Sequence, residues 1–374
     1  MKMDLDRLIK HTLAIQAIPS PTFHESHRAA FIKNAFTKAG LTDVEIDSAG
    51  NVYGAVRGGS TPPVVLSAHL DTVFEEEANV EARLEGERLV GPGVGDNAVA
   101  LAALIELSHD LPKIDRSGDV WLVANVCEEG LGNLRGMRQV VERFGEHVSA
   151  YICLEGMALG HVYHRALPVH RYRVTATTAG GHAWIHAGRP SAIHTLLHLG
   201  SGLLNLAGRA NTRTTLNVGT ISGGTTINSI ARSAWMEIDL RSESAHSLRV
   251  LCEQVTAHAR SFADRDMRIQ IDTIGERPSG GIPEKHALVQ AARQALEDAG
   301  ETQVLLEVGS TDASIPLSLG LPGVCVGLTR GGEAHSMQEF VEIQPIGRGY
   351  QSIVNLTLAA LKIDQITGDP GLSG

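Results

Sequence analysis

Four short apolar runs constrain this chain more than any other feature: Val64-Val65-Leu66-Ser67-Ala68, Val120 to Cys127, Tyr151-Ile152-Cys153-Leu154 and Gly323-Val324-Cys325-Val326-Gly327. A strand with one solvated face alternates apolar and polar residues. Runs without alternation predict strands covered on both faces, which is the habit of parallel sheets flanked by helices. Helical segments lie between and around them. Asp4 to Gly40 is broken at Pro19-Ser20-Pro21, and Asn97 to Leu107, Leu134 to Phe144, Ala287 to Ala299 and Gln351 to Leu361 follow. The alternation predicts an α/β domain with a mostly parallel sheet and flanking helices.

Between Pro168 and Pro278 the pattern changes. A strand (Arg171–Thr177), a helix (Ser191–Leu206), two strands (Thr215–Ile221 and Ala234–Leu240), a helix (Leu248–Ala263) and a strand (Met267–Ile274) follow in that order. This β-α-β-β-α-β succession predicts a small open-faced sandwich. We therefore expect one domain from residues 1–167 and 277–374, with residues 168–276 inserted into it. A length of 374 residues suits two domains, and 43% hydrophobic residues suffice for their cores.

The net charge of −10 argues against a nucleic-acid partner, which needs surplus Lys and Arg. No run approaches the ~18 apolar residues of a membrane span. The opening Met1-Lys2-Met3-Asp4-Leu5-Asp6-Arg7 resembles neither a signal nor a transit peptide. Cys127, Cys153, Cys252 and Cys325 form no CxxC pair, so reduced thiols in a cytoplasmic protein are expected.

Polar clusters stand directly after the apolar strands. His69-Leu70-Asp71 ends the first, Glu128-Glu129 the second and Glu155 the third. Asp96 closes a glycine-rich turn (Gly91-Pro92-Gly93-Val94-Gly95-Asp96), and Glu333-Ala334-His335 follows the last strand. Ligand sites form at the carboxyl ends of strands in such sheets. Two histidines and several carboxylates are the donors that suit a divalent metal. His69 and Asp71, two apart on an extended segment, project to one side, so Asp71 can orient the imidazole. Glu128 and Glu129 are adjacent and diverge, so one can be a ligand while the other faces an attacking water. The clustered carboxylates would repel one another around an empty pocket, which favours two cations over one.

Other candidates are weaker. His182-Ala183-Trp184-Ile185-His186 lacks the glutamate of an HExxH pair, and Gly91-x-Gly93-x-Gly95 lacks the rest of a nucleotide loop. No serine sits in a GxSxG elbow. His161 and His164 are read as structural.

These segments together resemble the co-catalytic zinc exopeptidase and deacylase family. That family includes peptidase T, glutamate carboxypeptidase, aminoacylases, acetylornithine deacetylase and succinyl-diaminopimelate desuccinylase, and the look is closest to the peptidase T branch. Ser67-Ala68-His69-Leu70-Asp71-Thr72-Val73, Gly95-Asp96-Asn97, Glu128-Glu129-Gly130 and Ala334-His335 with Glu339 carry the resemblance. It implies that Asp96 bridges two metal ions, that Glu129 and His335 complete one, and that His69 and Glu155 complete the other. It further implies Glu128 as general base, with Asp71 orienting His69. The ions would be zinc, with cobalt or manganese as alternatives. The inserted sandwich would be a lid and dimerisation domain, making a homodimer. Its His182 would reach the partner subunit's site and steady the oxyanion. Asn228 and Arg241 would anchor a substrate carboxylate, and Gly309 and Ser310, in the Gly309-Ser310-Thr311-Asp312 segment, would contact substrate. Ala98-Val99-Ala100 replaces a lysine–glycine pair and Ala231 a proline, which bears on substrate preference rather than chemistry. The activity expected is hydrolysis of an amide in a small peptide by an exopeptidase. An N-acyl amino acid deacylase is the runner-up, and a metal-free binding or regulatory relative is the reading from another class.

Overall fold

The computed structural model describes residues 3–75, 81–206 and 212–363. The chain divides into two compact units, Met1–Ala166 with Gly280–Gly374, and Leu167–Ser279.

The larger unit is built on a nine-stranded sheet. Its order is Thr42–Ile46, Val52–Val56, Gly118–Asn125, Thr61–His69, Ala150–Glu155, Gly323–Gly327, His161–Ala166 and Gly280–Gly281, with Leu305–Gly309 also pairing His161–Ala166. The three central pairings, from Gly118–Asn125 through to Gly323–Gly327, are parallel. These are the four apolar runs, and Val64, Leu66, Leu122, Ile152 and Val324 are wholly buried. The helix Val99–Asp110 is buried at every residue but His109, as its apolar sequence requires. It packs on the helix Leu5–Gln16 and on two of the sheet strands. The α/β expectation therefore holds.

Register decides where the chemistry goes. His69 pairs with Asn125, Ser67 with Cys153, and Glu155 with Gly327. The carboxyl ends of the four central strands thus stand side by side. Some elements are additions to the sequence reading. Besides His161–Ala166 and Leu305–Gly309, a four-stranded antiparallel sheet joins Gly331–Gly332, Phe340–Glu342, Arg88–Val90 and Arg83–Glu85. Its hairpin of Gly331–Gly332 and Phe340–Glu342 spans His335.

The smaller unit has the β-α-β-β-α-β order. Its antiparallel sheet runs Thr214–Gly223, Ser233–Ser242, Val169–Thr178, Met267–Arg277. Tyr172, Val174 and Ala176 alternate along one central strand and Ala234, Met236, Ile238 and Leu240 along the other, giving one apolar face. The helices Ala192–Leu203 and Ala245–Arg260 cover it with Leu196, Leu199, Leu203, Leu251 and Val255. The opposite face carries charge pairs, Arg171–Asp239 and Arg173–Glu237 among them.

Candidate metal centre

His69 closes its strand and is 1% exposed. Its Nδ1 lies 3.0 Å from the backbone carbonyl of Asp71 and 3.7 Å from that residue's carboxylate. The carboxylate was expected to hold the ring; the carbonyl is the nearer partner. The carboxylate is committed elsewhere: Oδ1 accepts the Glu128 N–H at 2.9 Å, and Oδ2 accepts the Glu129 N–H and the Thr22 hydroxyl, each at 2.9 Å. Asp71 thus fixes the His69 tautomer through its main chain and the two glutamates through its side chain. With Nδ1 donating, Nε2 of His69 is left with its lone pair. It faces Asp96 Oδ1 at 3.0 Å and Glu155 Oε2 at 3.7 Å.

The turn into Glu128 is shaped by Cys127, whose φ of 58° lies in the left-handed region that costs a side-chain-bearing residue. Glu25 holds it there by accepting the Cys127 N–H at 3.1 Å and its thiol at 3.3 Å. Arg28 is buried nearby and donates to the carbonyls of Leu70 and Ile18.

Asp96 is placed from three directions. Glu339, wholly buried, accepts the Gly95 and Asp96 N–H groups on Oε1 at 2.7 and 2.8 Å. Asn97 donates to the Leu154 carbonyl at 2.8 Å. Gly156 admits the turn against the strand end, since a Cβ there would stand 1.9 Å from the Gly95 carbonyl oxygen. The second oxygen of Asp96 faces His335 Nε2 at 3.2 Å, and Glu129 Oε1 faces the same nitrogen at 3.5 Å. His335 itself sits at φ 63° with over half its side chain exposed.

Among the described residues, two groups of donors that could each hold a metal ion share one aspartate and form two candidate half-sites: His69, Asp96 and Glu155, and Asp96, Glu129 and His335. Donors about 2.1 Å from a tetrahedral metal lie ~3.4 Å from one another. The separations above, 3.0 to 3.7 Å, bracket that edge. The protonation tendencies agree. Burial and the Asp96 charge push the Glu129 carboxyl up to about 8, and burial pushes Glu155 up to about 7. Hydrogen bonds to Asp96 and Glu129 raise His335 to about 10. Such a cluster is short of positive charge, and two divalent cations would supply it. A Glu128 carboxylate oxygen lies within 4.8 Å of the His69 and Glu129 donor atoms, beside both half-sites.

The remaining sequence candidates fall in two places. Gly309 and Ser310 belong to the larger unit, where a Cβ on Gly309 would meet the Tyr163 ring at 2.6 Å. His182, Asn228 and Arg241 belong to the smaller unit. His182 is exposed in the two-residue strand Gly181–His182, which pairs with Ser229–Ile230. Its Nδ1 accepts the N–H groups of Trp184 and Ile185 at 3.2 and 3.4 Å, which assigns the ring proton to Nε2. Asn228 is exposed and accepts the Thr226 hydroxyl at 3.1 Å. Arg241, expected to anchor a substrate carboxylate, donates from Nε to Asp239 at 2.7 Å. Asp239 lies two residues before it on the same strand face, so the shortest path for the guanidinium charge is to that carboxylate. Thr22, Glu25, Arg28 and the anchoring action of Glu339 were not anticipated, because each acts on a partner distant in sequence.

A family model described as Peptidase family M20/M25/M40 matches residues 65–359, and the chain belongs to that family. It is an M20-family hydrolase. It is 26% identical to a succinyl-diaminopimelate desuccinylase of Corynebacterium glutamicum over 92% of this chain and 95% of that one. In fold it is similar to a tripeptidase of Staphylococcus aureus, with a TM-score of 0.80 at 20% identity over 97% of this chain and 100% of the other. It is also similar to a dinuclear metal-binding M20 peptidase of Bacillus subtilis, with a TM-score of 0.67 at 18% identity over 96% and 98% of the two chains.

Proposed function

We propose that the chain is a dinuclear-metal exopeptidase acting on small peptides, with zinc as the first choice of metal. The observation that carries this reading is Asp96, each of whose oxygens faces a different histidine, at 3.0 and 3.2 Å. When bound, a pair of such cations supplies Lewis acidity at the scissile amide and a water acidic enough to ionise near neutrality. The chain's own residues do the rest. Glu128 takes the proton of the attacking water and returns it to the leaving amine. Asp71 holds the Glu128 and Glu129 backbone so that one carboxylate binds and the other shuttles. His182, with its proton on Nε2, is the donor we assign to the developing oxyanion in the partner subunit's site. In the smaller unit we assign Asn228 to a substrate carboxylate, and Arg241 too if that carboxylate displaces Asp239 from it; in the larger unit we assign Gly309 and Ser310 to substrate contact.

A second reading, N-acyl amino acid deacylase, is favoured by the desuccinylase relative. The two share every catalytic group and differ in pocket shape. A hydrolysis panel of dipeptides, tripeptides and N-acetyl and N-succinyl amino acids, with and without added zinc, separates them. Zinc-dependent cleavage of peptides supports the first reading, and cleavage of acylated amino acids alone replaces it. No hydrolysis of any member would favour a metal-free binding relative.

The smaller unit is also our candidate for a homodimer interface. Its strand Thr214–Gly223 lies at a sheet edge, with Ile221 exposed on it and Leu197 and Leu204 exposed in and just beyond the neighbouring helix.

A further inference from the structure

Beside the strand end of His69, Asn125 Nδ2 donates to Asp312 Oδ2 at 2.7 Å across 187 positions of sequence. Asn125 is wholly buried and Asp312 is 2% exposed. The other oxygen of each, Asn125 Oδ1 and Asp312 Oδ1, is buried without a hydrogen-bond partner. Both are acceptors when Asp312 is ionised, so neither can satisfy the other. The hydroxyl of Ser314, also buried, reaches neither of them. Among the described residues no Lys, Arg or His forms an ion pair with Asp312, and an ionised carboxylate sealed away without one is costly.

One proton removes both deficits. On Asp312 Oδ1 it turns one orphan acceptor into the donor the other lacks. The amide N–H and the acid O–H would then close a ring of two hydrogen bonds. We propose that Asn125 and Asp312 form this neutral acid–amide ring, and that Asp312 is a positioning residue which bolts the 309–312 loop to the strand end carrying Glu128. Burial and the neighbouring Glu128 charge both push the Asp312 carboxyl well above its ordinary range, in the same direction.

The ring sits where it can matter. Asn125 is the register partner of His69, and its carbonyl accepts the Leu70 N–H at 2.7 Å. Three residues on is Glu128. Asp312 ends the Gly309-Ser310-Thr311 segment and precedes the short helix Ser314–Ser318. A neutral ring also places no further negative charge behind Glu128. The positioning role rests on the hydrolytic reading above; the ring itself does not.

The test compares four variants by difference infrared spectroscopy at neutral pH and by kcat and KM on the best substrate of the panel. Asp312→Asn can rebuild the ring as an amide–amide pair. It is expected to lose a protonated-carboxyl C=O band present in the parent while keeping kcat within about threefold. Asp312→Leu and Asn125→Leu can form neither bond, and kcat should fall about tenfold or more with KM and metal content little changed. Asn125→Asp combined with Asp312→Asn exchanges acid and amide, and should recover the activity that Asn125→Leu loses. The proposal is overturned if parent and Asp312→Asn show the same carboxyl bands, or if Asp312→Asn is as impaired as Asp312→Leu. Should the leucine variants fail to fold, the infrared comparison and the exchanged pair still decide. A parent that hydrolyses nothing in the panel would sink the function and leave the infrared result standing.

Discussion

On the reading we propose, the residue that separates binding from turnover is Glu128. Its neighbour Glu129 stands 3.5 Å from His335 and belongs to a half-site, whereas Glu128 lies beside both half-sites with its backbone tied to Asp71. Removing its carboxylate should therefore spare the cations and remove the proton shuttle. We expect Glu128→Gln to bind two ions per chain and to lose ~10²–10⁴-fold in kcat. Loss of an ion together with activity, measured by elemental analysis, would make it a ligand instead. Gly156 carries a steric prediction of the same scale. A methyl group there meets the Gly95 carbonyl at 1.9 Å, so Gly156→Ala must push the Asp96 turn off the strand end. Metal affinity should fall by about 10–100-fold in a chelator competition, the range seen when the support of a ligand is lost. Unchanged affinity would mean that the turn does not set the Asp96 position.

At the scale of elements, what could be read in advance is what local pattern encodes. Unalternating runs pointed to the central strands, the β-α-β-β-α-β succession to the open-faced sandwich, and polar residues just after buried strands to the candidate donors His69, Glu129 and Glu155. Pairings made at a distance left no such trace. The strands His161–Ala166 and Leu305–Gly309 mix charged and apolar residues, and their parallel pairing is visible only once the sheet is built. Thr22 on Asp71, Glu25 on Cys127 and Asp312 on Asn125 join positions 49, 102 and 187 apart. Glu339 was noticed only as a spacing after His335. The smaller unit's sheet offers a pH prediction. Burial raises the Asp239 carboxyl, but Arg241 and Arg171 outweigh it, and the net shift is downward. A carboxyl depressed on folding contributes stability above its unfolded pKa of ~3.9, and that stability is lost as pH falls through the folded value. Thermal melts between about pH 5 and pH 2.5 should therefore fall less steeply for Asp239→Asn than for the parent. Parallel curves would contradict the ion pair.

At the scale of the whole molecule, one unit supplies the clustered carboxylates and the other an exposed sheet edge. A charge in the middle of an unpaired edge strand blocks pairing between copies. By sedimentation equilibrium we expect the parent at twice the chain mass and Ile221→Lys at the chain mass. A monomeric parent would remove the dimer. The account as a whole stands on donors drawn from positions 69 to 335 holding a cation pair. Metal content after reconstitution with zinc tests this most directly: two ions per chain in the parent, one in His335→Ala and fewer than one in Asp96→Ala are expected. A parent that retains fewer than one ion per chain contradicts it.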